Sequence, residues 1–199
     1  FYKNLNLIHK EAKNRNNFLR IDMENTQLTD ITINTFKKNY KVFNNIGIVI
    51  QAYLYRSEKD IDKLNEKMNI RLCKGIYNEK ETKAIKNPDK INENYLYLLK
   101  KAFKKNLYVG IATHDKNLIE KILTLIKTNK INKKQFEFQV LYGVPINDMI
   151  KILLEREYKV RVYVPFGENW YEYSMRRIKE NPNISKYVLK NLFYKNFYK

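Results

Sequence analysis

Six short apolar runs recur along the chain, and most are followed by a longer amphipathic, lysine-rich stretch. The runs are "FLRIDME" (18–24), "IGIVIQAYLY" (46–55), "IRLCKGIY" (70–77), "LYVGIATHD" (107–115), "FEFQVLYG" (136–143) and "VRVYVPFG" (160–167). They are rich in Ile, Val, Phe and Tyr, and short enough to be buried parallel strands. The stretches 26–42, 57–68, 91–105, 116–129 and 146–157 read as helices. Leu118, Ile122, Leu125 and Ile126 give one of them an apolar stripe at helical spacing. Strand followed by helix, repeated, predicts an α/β protein with a parallel sheet. The least regular segment, "NEKETKAIKNPDKIN" (78–92), is expected as a long loop, or as a loop with a poor helix.

Every run carries a polar interruption, mostly toward its C-terminal end: Asp22, Gln51, Arg71 with Lys74, Thr113 with His114, Gln139, and Arg161 with Tyr163. Each has an ordinary explanation alone. Asp22 suits a helix cap, Gln51 a satisfied core amide, Lys74 a side chain snorkelling to the surface, His114 a loop. Their recurrence in all six runs points elsewhere. In a parallel α/β barrel the C-terminal strand ends share one face, and that face carries the site.

Composition narrows the picture. The 199 residues are 44% hydrophobic and 14% aromatic, enough for one core. Lys+Arg is 39 against Asp+Glu 21, a formal charge of +18. That charge raises nucleic acid or an anionic membrane surface as partners. The lysines are scattered among asparagines rather than massed in a block, and the tyrosines mostly sit within or beside apolar runs. Both features favour a general compositional bias and a tyrosine-rich core. Cys73 is the only cysteine, and His9 and His114 lie far apart, so zinc spacing is absent. No run of about 18 apolar residues suggests a membrane span. The chain opens on "FYKNLNLIHKEAKNR" without an initiating methionine, so a piece of a longer protein is expected.

Several chemistries lack support. No Ser stands at a strand end, as an acyl-transfer triad would need. No G-x-G-x-x-G or P-loop is present. Asp22 and Glu24, at i and i+2, keep a glycosidase pair open. Asp22 with Lys74 keeps a barrel lyase or hydrolase open, and the charge keeps a nucleic-acid-binding module open. One stretch stands apart: in "YEYSMRRI" (171–178), Tyr173, Arg176 and Arg177 fall at i, i+3 and i+4, within reach of one spot. A solvated basic face is the ordinary fate of such a pair, but two guanidinium forks also fit a carboxylate.

Taken together, "RIDME", "IQAYLYRS", "RLCKGIYNE", "GIATHD", "EFQVLYG", "VRVYVPFG" and "YSMRRIKENPN" resemble, in order, the proline dehydrogenase family. That resemblance implies an FAD-dependent (β/α)8 TIM-type barrel that oxidises L-proline to Δ1-pyrroline-5-carboxylate and passes electrons to a membrane quinone. By position it implies Asp22, Arg71 and Tyr77 as catalytic residues. Leu141, Tyr163, Tyr173, Arg176 and Arg177 would bind substrate, the two arginines gripping its carboxylate. Gln51, Arg71, Lys74, Gly75, Thr113, His114, Gln139 and Glu180 would hold FAD. The implied location is cytoplasmic, with peripheral contact at the inner face of the membrane, or mitochondrial in a eukaryote. Asp115 stands where the family has Asn, Asn78 where Trp is frequent, Ile76 where a small Ala is usual and Ile184 where Asn is common. These four bear on how tightly FAD is held. Six strands are present where a closed barrel needs eight. Residues 1–199 are therefore expected to form a single catalytic barrel domain lacking its N-terminal strands, with a gap between 18–24 and 160–167.

Overall fold

The computed structural model describes residues 2–142, 144, 146–168, 171 and 175. Six strands form one all-parallel sheet in sequence order: β1 (Leu19–Ile21), β2 (Ile46–Gln51), β3 (Asn69–Cys73), β4 (Tyr108–Ala112), β5 (Phe136–Leu141) and β6 (Val160–Tyr163). Among the described residues β1 and β6 are its two edges and do not pair with each other. The fold is an incomplete TIM-type barrel, its parallel strands as the six runs predict and its barrel class as the resemblance implies. Helix α1 (Tyr2–Asn14) precedes β1, and the helices after it connect successive strands: α2 (Thr29–Tyr40), α3 (Ser57–Asp62), α4 (Pro88–Lys104), α5 (Lys116–Thr128) and α6 (Asn147–Glu155).

Each strand's two faces differ sharply. Side chains alternate along a strand, and here one set is apolar. Ile46, Ile48 and Ile50 of β2, Ile70 and Leu72 of β3, Val109 and Ile111 of β4, and Phe136, Phe138 and Val140 of β5 are buried in one cluster. Phe36 of α2, Leu98 and Leu99 of α4, Leu118 and Ile122 of α5, and Leu153 of α6 complete it. The other set is mostly polar or small, with Val49 an apolar exception: Arg20, Gly47, Asn69, Arg71, Gly110, Glu137, Gln139 and Arg161. The pairing puts Arg71 beside Gly110, Gly110 beside Glu137, and Gln139 beside Arg161. The register thus gathers charge on the face away from the helices.

Glycine makes room on that face. A Cβ on Gly47 would lie 2.6 Å from the Arg20 Nη1, and one on Gly110 would lie 2.4 Å from the Gln139 Nε2. Among the described residues, five turns pass through the left-handed region without glycine: Asn16, Lys67, Asn106, Lys130 and Glu157 have φ between 51° and 65°. Each lies between a helix and the next strand. Asn tolerates this conformation, whereas Lys and Glu carry a cost of roughly 1 kcal/mol or more.

The apolar runs overshoot the strands. Asp22, Lys74, Gly75, Tyr77, Thr113 and His114 lie just past strand ends, while Arg71 and Gln139 lie inside strands, each two residues before the end. The irregular segment 78–92 is partly ordered: Ala84 forms an antiparallel bridge with Leu54, and α4 begins at Pro88. Asn87 caps α4, its Oδ1 accepting from the N–H groups of Asp89 and Lys90, both at 3.0 Å. Asn87→Ala is expected to lower stability by about 1 kcal/mol, read as a shifted urea midpoint of the full-length protein. An unmoved midpoint would show the cap to be dispensable.

Candidate active site

The strand-end face holds one continuous polar chain. Arg71 of β3 donates from Nη1 to Asp22 Oδ1 at 2.9 Å and from Nε to Gln139 Oε1 at 2.6 Å. Its guanidinium carbon stands 5.7 Å from the ring centroid of Tyr163. Gln139 donates from Nε2 to Glu137 Oε1 at 2.8 Å. Glu137 also accepts from Arg161 Nε at 2.5 Å and Nη2 at 3.0 Å, and from the Tyr108 hydroxyl at 3.1 Å. Lys159 Nζ stands 3.1 Å from it. Burial alone would push the Glu137 carboxyl up, but hydrogen bonds from Arg161, Gln139 and Lys159 outweigh it and hold the group at about 2.

Arg20 lies deeper. Its Nη2 donates to Asn69 Oδ1 at 2.6 Å and its Nη1 to the Ile48 carbonyl at 3.0 Å. Burial first, and Arg71 second, pull its guanidinium below the ordinary value, yet an arginine stays protonated at neutral pH. Arg20, Arg71 and Arg161 therefore outnumber Asp22 and Glu137, and the face is cationic.

A second group lines the ends of β3 and β4. Lys74 Nζ lies 2.6 Å from Asp115 Oδ2, and Asn92 Nδ2 lies 3.3 Å from the same oxygen. Asp115 also caps α5, accepting from the Leu118 N–H at 3.1 Å. Burial raises the Asp115 carboxyl, but Lys74 and the Leu118 N–H bring it below its usual range. His114 Nε2 accepts from the Leu141 N–H at 2.8 Å. That acceptor role leaves the ring proton on Nδ1, and burial lowers the His114 pKa, favouring the neutral form. Thr113 is buried, its hydroxyl accepting from the Asp115 N–H. Gly75 has φ +112°, and a Cβ there would lie 2.0 Å from the Tyr53 ring. No side chain fits that close approach. Burial pushes the Cys73 thiol up to about 12, so it offers no thiolate near neutral pH.

The structure sorts the expected residues. Asp22, Arg71, Gln139 and Tyr163 come together. Lys74 and Thr113 converge on Asp115, and His114 touches Leu141. Gln51 is buried and donates to the Glu24 carbonyl at 2.9 Å, while the Tyr77 hydroxyl donates to Glu24 Oε2 at 2.5 Å. Asp22 does not cap α2, whose N-cap is Leu28 without a side-chain bond. Asp22 and Lys74 take different partners, which removes the direct hydrogen bond that the lyase or hydrolase alternative needs. Tyr173, Arg176, Arg177 and Glu180 lie outside the described residues. Arg20, Asn69, Tyr108 and Glu137 are absent from the expected site, and Arg161 appears only as a strand interruption. Their i, i+2 spacing from Asp22, Arg71, Gly110, Gln139 and Tyr163 is the signal that finds them.

A model of the proline dehydrogenase family matches residues 3–190. Proline dehydrogenase 2 of Bacillus subtilis is 37% identical over 193 residues, which cover 96% of this chain and 63% of that protein. Proline dehydrogenase of Deinococcus radiodurans is 36% identical over 192 residues, covering 95% and 62%. The chain thus spans less than two thirds of the length of these relatives. Among solved structures, proline utilization A from Bdellovibrio bacteriovorus, inactivated by N-propargylglycine, superposes with a TM-score of 0.76 at 25% identity, covering 84% of this chain and 20% of that one. A Bradyrhizobium japonicum proline utilization A shares the fold with a TM-score of 0.77 at 19% identity, covering 90% and 21%. A family match over nearly the whole chain, on a sheet whose strand ends gather these side chains, settles the lineage: the chain belongs to the proline dehydrogenase family.

Proposed function

We propose that the full protein oxidises L-proline to Δ1-pyrroline-5-carboxylate with FAD and delivers the electrons to a membrane quinone. The observation that carries this reading is Arg71, fixed between Asp22 and Gln139 at the mouth formed by the strand ends of a proline dehydrogenase family chain.

The residues at that mouth fit a flavin. Arg71 is a held cation, the Gln139 amide of β5 accepts from it, Gln51 ends the neighbouring strand β2, and His114 presents an Nδ1–H. Gln51, Arg71, Lys74, Gly75, Thr113, His114 and Gln139 would hold the group from the described residues, and Glu180 from the resemblance. Bound there, FAD supplies the acceptor for the C5 hydrogen of proline and its two electrons. Arg71 keeps positive charge where negative charge grows during the reaction. Asp22 and Gln139 fix the direction of that charge, and the Tyr163 ring packs against it. Leu141 closes an apolar wall. Arg176 and Arg177 pair with the substrate carboxylate and so orient the ring. The reading carries with it a cytoplasmic location with peripheral membrane contact, which a charge of +18 suits. Among the described residues no helix is long and apolar enough to cross a membrane.

The test is steady-state turnover of proline by the full-length protein with a dye acceptor, alongside its flavin absorbance. Wild type is expected to be yellow and active, and Arg176→Met to raise KM for proline about 10- to 100-fold. A colourless protein inert toward proline would overturn the function. An unchanged KM in Arg176→Met would remove the carboxylate grip alone.

A further inference from the structure

Gln139 sits between a group that only donates and a group that only accepts. Its Oε1 faces Arg71 Nε at 2.6 Å, and its Nε2 faces Glu137 Oε1 at 2.8 Å. An amide keeps nearly the same shape when its ends are exchanged. Exchanged here, it would set N–H against a guanidinium N–H and oxygen against a carboxylate. Only one orientation satisfies both neighbours. Gly110 keeps the slot open, because a Cβ at that position would lie 2.4 Å from Nε2 and 2.7 Å from Cδ.

We propose that Glu137 is a positioning residue, which through the amide of Gln139 fixes the direction in which Arg71 presents its remaining N–H groups to the mouth of the sheet. This rests on the proposed role of Arg71. Glu137 is suited to be the fixed end of the relay. It is 1% exposed, and three further residues hold it: Arg161 through two nitrogens, Lys159, and Tyr108. Arg71 is the free end. Nε is spent on Gln139 and one Nη1 hydrogen on Asp22, leaving three of five N–H groups for a ligand. Without Glu137 the amide can turn, Nε loses its acceptor, and the guanidinium can rotate about its stem.

A merely structural Glu137 would neutralise Arg161 and Lys159 and leave Arg71 untouched. The Nε–H resonance of Arg71 separates the two roles. It is followed in the nitrogen-15-labelled full-length protein freed of flavin, and assigned by its loss in Arg71→Lys. In E137Q its exchange with solvent is expected to quicken about tenfold, the weight of one charge-assisted hydrogen bond. In the flavin-loaded protein E137Q is expected to lower kcat for proline about tenfold with KM little moved. Should E137Q fail to fold, E137Q/R161Q removes one cation with the carboxylate and takes its place, with R161Q alone expected to keep the exchange slow. Unchanged exchange in E137Q, or in the double variant, overturns the relay. Failure of wild type to oxidise proline would overturn the proposed function, while the exchange measurement would still judge the relay.

Discussion

Arg71→Met in the full-length protein is expected to lower kcat for proline oxidation about 10²- to 10³-fold, the usual loss when one preorganised electrostatic donor is removed from an active site. The expectation follows from how Arg71 is built in. Its side chain is 19% exposed, held at Nη1 by Asp22 and at Nε by Gln139, with the Tyr163 ring against its guanidinium. Those contacts come from the chain's own side chains, so the charge is preorganised for the reaction. Arg71→Lys should fare little better. A single ammonium cannot span the two acceptors as a planar fork does. Steady-state kinetics read the effect as a fall in kcat with a smaller change in KM. A kcat within about threefold of wild type in Arg71→Met would remove Arg71 from the electrostatics of the step.

How much of this was legible in the sequence depended on which face of the sheet a residue occupies. The helix-facing side was plain, because Ile46, Ile48 and Ile50 or Phe136, Phe138 and Val140 make dense apolar positions that only a covered sheet explains. Helix α5 was equally plain from its stripe of Leu118, Ile122 and Ile126. Helix α1 was not, because a buried histidine interrupts its inner face: His9 contacts Asn45 and the Phe43 ring there. The run 46–55 overshot β2 because "AYLY" is apolar for another reason. Tyr53 and Leu54 pack on Ala84 in a small second cluster. The expected helix 57–68 ends at Asp62, and Leu64 and Met68 beyond it are buried from irregular backbone.

At the site, Asp22, Arg71, Gln139 and Tyr163 were visible as polar interruptions, since each breaks an apolar run near its end. Glu137 was not, since a lone Glu between two phenylalanines reads as a solvated residue on an exposed strand face. Its partners come from β4, β5, β6 and the turn before β6, and a sequence shows such convergence only once the register is known. Asp115 carries a similar lesson. As a departure from the family's Asn it bore on how tightly FAD is held. In the fold, Lys74 and the N-terminus of α5 already neutralise it.

Glu137 also makes the fold sensitive to acid. Its ordinary value of 4.5 falls to about 2 in the folded protein. A depressed carboxyl stabilises the fold fully above the unfolded value, and that contribution is lost as pH falls from 4.5 toward 2. The linked free energy is on the order of 2–3 kcal/mol, a large share of a typical domain's stability. Glu137→Gln cannot titrate, so its stability curve lacks this component. At neutral pH the variant should be the weaker of the two, because Arg161 and Lys159 lose their buried counter-ion. Between about pH 5 and about pH 2 the two urea-unfolding curves of the full-length protein should converge, as wild type loses what the variant never had. Asp115 titrates in both proteins and cancels in the comparison, and the arginines and lysines keep their charge throughout. Curves that stay parallel across this range would mean that the carboxyl titrates normally in the folded protein. The ion pairs from β6 and its preceding turn would then be too weak to anchor Gln139, and the rigidity ascribed to Arg71 would need another source.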